Sequence, residues 1–324
     1  MADVLSHPRF QDEQAAYDWV EAHLWPNGPV CPRCGGLDRI TKLKGKSTRT
    51  GVYKCNACRK PFTVKIGTIF EDSHIPMRLW LQAIALMCAS KKGISSNQLH
   101  RMMGITLKSA WFMSHRIREA MRSGGLAPMG GAGTSGVVEA DETFIGRKVG
   151  ETKRRGGGAH KNAVLALVER GGIVRTFHVD DVKAATLLPI VKANIAKEAR
   201  VMTDDGATYY NKLDTFAGHG TVNHSAKEYV RYDSGPVVIH TNSVEGFFSV
   251  FKRGMKGVYQ HCSEKHLHRY LAEYEFRHSN RIALGVNDQE RATRALTGVK
   301  GKRLTYRTTR GAGPAAGIED EIPF

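Results

Sequence analysis

Apolar and polar residues follow two rhythms along this chain, and the change between them divides it. From Met77 to Arg122 the apolar positions recur at helical spacing. Leu79, Leu81, Ile84, Ala85 and Met87 mark a first helix. Lys91-Lys92-Gly93 breaks it. Ser95-Ser96-Asn97 then offers an N-cap for a short helix carrying Leu99 and Met102-Met103. Gly104-Ile105-Thr106 predicts a tight turn, after which Ala110, Met113, Ile117 and Ala120 mark a longer helix. This is a helix-turn-helix cadence. An earlier helical stretch spans Glu13 to Leu24.

After Gly136 the rhythm shortens to that of strands. Val137–Phe144, Ala163–Glu169 and Ile173–Val179 read as three strands, with Gly171-Gly172 as a reverse turn between the last two. A helix over Lys183–Lys197, interrupted in principle by Pro189, leads to a strand at Arg200–Asp204. A short helix with Tyr209, Tyr210 and Leu213 follows, then a strand near Thr221–His224, a helix over Asn242–Met255 and another over His266–Arg277. The order β-β-β-α-β-α-β-α predicts an α/β domain of the ribonuclease H-like kind. Such a domain has a mixed sheet flanked by helices, with acidic residues on its first and fourth strands. The expected organisation is a lead-in and zinc ribbon (1–70), a helix-turn-helix segment (71–123), a Gly/Ala/Ser-rich linker (124–136), the α/β domain (137–283) and a basic, fraying tail (284–324).

Charge narrows the partners. In 324 residues, 48 Lys and Arg stand against 31 Asp and Glu, giving +17 and an isoelectric point near 9.7. That balance favours a polyanion. No stretch approaches the roughly 20 apolar residues of a membrane span, so no membrane partner is expected. The N-terminus lacks the pattern of a secretory signal. The expected compartment is the cytoplasm, where thiols stay reduced.

Cysteine spacing then points to metal. Cys31-Pro32-Arg33-Cys34 and Cys55-Asn56-Ala57-Cys58 form two C-x2-C knuckles with twenty residues between the inner cysteines. Four thiolates complete a tetrahedral zinc site with no open position, so the zinc is expected to be structural. Cys88 sits among apolar helix positions, and Cys262 carries no assignment. Arg33, Lys42, Lys44, Lys46, Arg49 and Lys54 favour a phosphate-facing ribbon over a merely solvated one.

Three acidic residues carry the remaining chemistry. Glu139, Asp141 and Glu142 crowd one strand; alternation sends Glu139 and Asp141 to one face and Glu142 to the other. An exposed edge strand is the bland reading, and the surrounding Val137, Val138, Phe144 and Ile145 weaken it. Asp204 and Asp205 end a strand; taken alone they read best as a helix cap, but a strand's carboxyl end is also where ligand sites form. On the helix from Asn242, Val244, Phe247, Phe248, Phe251 and Met255 form an apolar stripe, with Asn242, Glu245, Ser249 and Lys252 opposite. Asn242 with Glu245 also reads as a capping box. Gly246 is unfavourable within a helix, and close approach of backbone or DNA is one reason for it. His219, His224, His240 and His261 are substrate-contact candidates only. Carboxylates on two strands and a helix suit two divalent cations for phosphoryl transfer.

In these stretches the chain resembles bacterial insertion-sequence transposases of the IS fifteen-ninety-five type, which pair a zinc ribbon with an ISXO2-like DDE domain. The resemblance rests on the cysteine knuckles, VEADETFIGRK, VMTDDGATYY, VNHSAKEYV, HTNSVEGFFSVFKRGMKGVY and KHLHRYLAEYEFRHSNR, in that order over most of residues 25–283. It implies a DNA nucleotidyltransferase using Mg2+ or Mn2+, with Asp141 and Asp204 as ligands. The family has Asn or Glu at the third position. Glu245 is favoured here because a carboxylate suits a hard cation, with Asn242 as a second contact and Lys252 on phosphate. The resemblance further implies double-stranded DNA partners, both terminal inverted repeats and target, and at least a homodimer on the nucleoid. Lys108, Ser109, Trp111, His115 and Arg116 lie on or near the expected recognition helix, and the Gly146–Lys161 loop suits a DNA backbone contact. A zinc-ribbon regulator with an inactive nuclease-like domain, and a nuclease without strand transfer, are the competing expectations.

Overall fold

A computed structural model describes residues 6–124, 127–152, 158–206, 212–232 and 237–305. The chain forms two compact units. The first joins the N-terminal residues through Ser90, Ile94–Met121 and the segment from Asp288; the second contains Lys91–Gly93 and Arg122–Asn287.

The first unit begins with α1 (Pro8–Gln11) and α2 (Glu13–Leu24). Asp12 caps α2 by accepting from the Ala15 amide at 2.7 Å. Three short antiparallel strands follow, β1 (Ile40–Lys42), β2 (Tyr53–Cys55) and β3 (Pro61–Phe62). Their small core is Cys31, Tyr53, Cys55 and Phe62, with Trp25 and Ile40 against it. So few apolar residues give little hydrophobic stabilisation, and this segment depends on a cross-link.

Helices α3 (Met77–Ala89), α4 (Ser96–Met103) and α5 (Leu107–Met121) follow the predicted cadence. Ser95 caps α4 in a full capping box with Gln98, and Gly104 closes it at φ 65°. That left-handed geometry is the reason for glycine at the turn. The C-terminal residues depart from expectation. In place of a fraying tail from 284, Asp288–Thr297 form α9, which packs mainly on α3. Ala295, Leu296 and Val299 are buried, and Arg291 donates to the Cys88 carbonyl at 2.9 Å. Burial of this apolar stripe outweighs the segment's polar composition.

The second unit is built on five strands: β4 (Val137–Ile145), β5 (Asn162–Glu169), β6 (Val174–Val179), β7 (Arg200–Asp204) and β8 (Gly218–Val222). Their spatial order is β6-β5-β4-β7-β8. The first three are antiparallel neighbours; β7 and β8 add in parallel. This is the mixed α/β sheet expected. Every residue of β5 is buried, because helices cover both faces. One face packs Val138, Ala140, Leu165 and Val201 against α6 (Ala184–Asn194), which continues through Pro189. The other packs Val164, Ala166 and Val168 against α7 (Asn242–Gly254) and α8 (Leu267–Ser279). A π-helical turn, Met255–Tyr259, extends α7.

The expected linker also differs. Met129 is buried in the α6-side core and bridges Ile195, so residues from 127 onward belong to the second unit. Gly130 lies so close to Ala199 that a Cβ would meet that side chain at 2.5 Å. The expected helix at Tyr209 and Tyr210 falls outside the described residues. So do the middle of the Gly146–Lys161 loop and the end of the tail.

Candidate functional site

The ribbon brings four sulfurs together. The Cys31 and Cys58 Sγ atoms are 3.7 Å apart, as are those of Cys34 and Cys55, and all four lie within 4.8 Å of one another. A tetrahedron with Zn–S near 2.3 Å has sulfur–sulfur edges of about 3.8 Å, so the spacing fits one zinc ion. The knuckle backbone also favours thiolates. Burial opposes ionisation of Cys31, yet the amides of Arg33 and Cys34 outweigh it and hold the thiol down to about 7. The Cys58 and Ala57 amides likewise lower Cys55. A closed set of four thiolates is the arrangement of a structural site.

The acidic residues come together differently. Parallel pairing sets Val138 beside Val201 and Glu139 beside Met202. The pairing ends there, with Asp141 and Asp204 each two residues further along its strand, and the Asp204 charge acts on Asp141. Helix α7 lies over this face of β4 and carries Glu245 in its first turn. Burial, reinforced by repulsion from Asp204 and Glu245, pushes the Asp141 carboxyl up to about 6. The Glu142 amide, at 2.7 Å, and the Lys252 charge pull the other way. Asp141, Asp204, Glu245 and Lys252 therefore share one electrostatic environment. Among the described residues, only the four cysteines form a group of three or more potential ligands within 4.8 Å of one another. The carboxylates stand further apart. Like charges in a half-dry cleft repel, and a divalent cation relieves that repulsion. This donor set of hard oxygens fits such an ion.

Asp204 and Asp205 are unequal. Asp204 accepts from the Gly206 amide at 3.2 Å. Asp205 turns its amide to the Val222 carbonyl, and its carboxyl is raised chiefly by a hydrogen bond to Asp204. Glu245 is exposed and is held at one oxygen: His224 Nε2 lies 2.8 Å from its Oε1, and the Thr241 hydroxyl donates to the same atom at 3.3 Å. His224, one of four histidines of equal standing in the sequence, is thus the one that joins the cluster. Only its place just after β8 hinted at this. Asn242 is exposed at the first position of α7, and the Lys252 ammonium lies 5.9 Å from the Phe248 ring. A Cβ on Gly246 would meet nothing within 4 Å.

One expectation needs correction. Thr241, not Asn242, is the N-cap of α7, and it makes no side-chain cap bond. The first amides of α7 are instead satisfied by Glu139 of β4, so the helix borrows its cap from the sheet. On α5, of the residues on or near the expected recognition helix, His115 and Arg116 are buried. Arg116 donates to the carbonyls of Ile69, Glu71 and Leu304, which keeps a charge inside by hydrogen bonding. Arg101, Met102, Gly104, Thr106, Leu107 and Lys108 are exposed around the turn.

Residues 133–279 match the family model of the ISXO2-like transposase domain, and residues 11–61 match that of the transposase zinc-ribbon domain. The chain is also similar, at 27% identity over 287 residues, to a protein of Halobacterium salinarum named "Uncharacterized protein in transposable element ISH50". The match covers 83% of this chain and 91% of that relative. Among the described residues no helix is long and apolar enough to cross a membrane.

Proposed function

From a chain that carries both domains of the IS fifteen-ninety-five type of insertion-sequence transposase, we propose a metal-dependent DNA transposase that cuts element ends and joins them to target DNA. What supports this reading is Asp141 on β4 and Asp204 on its parallel neighbour β7, with Glu245 in the first turn of the helix over β4; burial raises Asp141, and the charges of the other two add to it.

Asp141, Asp204 and Glu245 would hold two divalent cations, Mg2+ or Mn2+, with Asn242 as a second contact on the helix side. When bound, the ions supply Lewis-acid activation of the attacking oxygen and stabilise the leaving one. The protein's own residues do the rest. Lys252 and Arg253, in the last turn of α7, hold phosphate beside the carboxylates. His224 fixes the free rotamer of Glu245 through its 2.8 Å contact. Water is the first nucleophile, and the 3′-hydroxyl it exposes is the second. The zinc ribbon and the exposed start of α5, at Leu107 and Lys108, contact terminal repeats, as N-terminal residues of a recognition helix do. The active species is at least a homodimer, and it works on the nucleoid in the cytoplasm.

The test uses purified full-length protein, Mg2+ and DNA carrying the element's ends. Site-specific nicking followed by joined products is the expected result. Nicking alone assigns a nuclease; binding without nicking assigns a regulator, and either outcome removes the transposase reading.

A further inference from the structure

One buried ion pair grips the start of α7 from both sides. Glu139 is fully buried, two residues before Asp141 on the same face of β4. Its Oε2 accepts from the amides of Ser243 at 2.7 Å and Val244 at 3.0 Å. Its Oε1 accepts from the Ser243 hydroxyl at 3.0 Å and from Arg170 Nε at 2.7 Å, and His240 Nδ1 lies 3.1 Å away. Arg170 uses its remaining nitrogens on the backbone just upstream, donating to the carbonyls of Val238 at 2.6 Å and His240 at 2.9 Å. The carboxylate therefore takes the amides at the helix start, and the guanidinium takes the carbonyls leading into it.

We propose that Glu139 and Arg170 are positioning residues that set where Glu245 and Asn242 stand relative to Asp141; this rests on the metal-site reading above. A carboxylate offers about four acceptor sites, and those of Glu139 are taken by protein donors. It is thus a cap and not a fourth metal ligand, although its spacing from Asp141 invites the latter. Because the cap sits on β4, one strand fixes two of the three acidic positions: Asp141 directly, and Glu245 through the helix that Glu139 holds. Thr241 supplies no side-chain cap of its own, and the nearby His240 Nδ1 accepts from the Asn242 amide at 3.3 Å, so the Ser243 and Val244 amides depend on Glu139. Charge-assisted hydrogen bonds at a helix N-terminus suit this task, being short and directional.

The experiment compares full-length wild type with Glu139→Gln, Arg170→Gln and the milder Arg170→Lys. The first readout is amide hydrogen exchange without metal or DNA. In the two Gln variants, protection at Ser243 and Val244 falls about tenfold or more, the order expected for losing a charged hydrogen-bond partner. Amides at Phe247–Phe251 and in the ribbon keep theirs. Arg170→Lys shows an intermediate loss. The second readout is Mn2+ binding to zinc-loaded protein. The dissociation constant rises about tenfold or more, with unchanged stoichiometry, and excess Mn2+ restores part of the cleavage rate. Unchanged protection at Ser243 and Val244 overturns the grip whatever the activity. Lost protection with unaltered Mn2+ affinity overturns the positioning role. A lower Mn2+ stoichiometry makes Glu139 a ligand and overturns the assignment. Wild type that binds no Mn2+ at the carboxylates refutes the metal-site reading, while the exchange result still judges the grip.

Discussion

The zinc ribbon and the acidic site both gather charged ligand groups, yet they do so in opposite ways. In the ribbon, partners such as Cys31 and Cys58 lie 27 positions apart in sequence, and two tight knuckles already hold the sulfurs at contact distance. At the acidic site, the contacts that bring α7 to β4 span 104 positions. There the carboxylates stand apart, with Asp141 raised chiefly by burial and further by its acidic neighbours. The ribbon has almost no core and takes its stability from the ion. The acidic site is imposed by a sheet and helix that fold on their own apolar stripes, and its ion would be bound by a scaffold already in place. Metal should therefore be a condition of folding in one region and of chemistry in the other.

The sharpest way to break that contrast is to remove the ribbon's ligands. Cys55→Ser should lose one zinc per chain and unfold the ribbon, a change on the order of 10 kcal/mol. The strands of the second unit should keep their hydrogen-exchange protection. Elemental analysis with exchange mapping reads both; unchanged zinc content would refute the four-cysteine site.

At the acidic site the expected loss lies in rate, not fold. Asp141→Ala and Asp204→Ala should each slow cleavage about 1,000-fold or more, roughly 4 kcal/mol of barrier, while retaining end binding in a gel-shift assay. Undiminished cleavage by either variant sinks the assignment. Run in parallel, Glu245→Ala should match the aspartates and Asn242→Ala should cost less; the reverse order would hand the third position to Asn242.

A smaller effect tests the electrostatics. Asp141 binds its proton more tightly folded, near 6, than at its ordinary value of 3.8. Its stabilising contribution is therefore complete below about pH 4 and is lost as the pH rises through about 6. In metal-free protein, Asp141→Asn should stabilise the second unit by up to about 3 kcal/mol at pH 7.5 and by almost nothing at pH 4. Urea unfolding at the two pH values checks this, and an equal difference at both would remove the charge explanation. Gly246→Ala should show the smallest effect. With open space around it, the change should stabilise α7 by about 0.5–1 kcal/mol. If DNA approaches there, the same variant should bind ends more weakly; unaltered binding would free that face of any DNA role.

Much of the fold was legible in local pattern. The helix-turn-helix cadence, the Ser95 cap and the β-strand order up to Asp204 follow from periodicity and turn chemistry. The strand and helix positions of Asp141, Asp204 and Glu245 were legible, because they follow from the same periodicity. Less legible was anything decided by a distant partner. The polar stretch after Gly285 looked like a tail because its few apolar residues gain meaning only against α3. Which of Lys108, Ser109, Trp111, His115 and Arg116 are exposed was not legible, because sequence cannot tell a solvated arginine from one spent on three buried carbonyls. Asn242 with Glu245 looked like a capping box because the true cap, Glu139, comes from another element.

The sequence by itself determined where most helices and strands form and which cysteines gather in the ribbon, and it singled out the carboxylates proposed for the chemistry. Each of these depends on spacing along the backbone, which covalent geometry fixes. Tertiary structure alone decided that the charges of Asp204 and Glu245 act on Asp141, that His224 meets Glu245, and that Glu139 and Arg170 bond to the start of α7 and the residues leading into it. Those contacts arise from strand register and packing between segments that are remote in the chain, so no local pattern of residues encodes them.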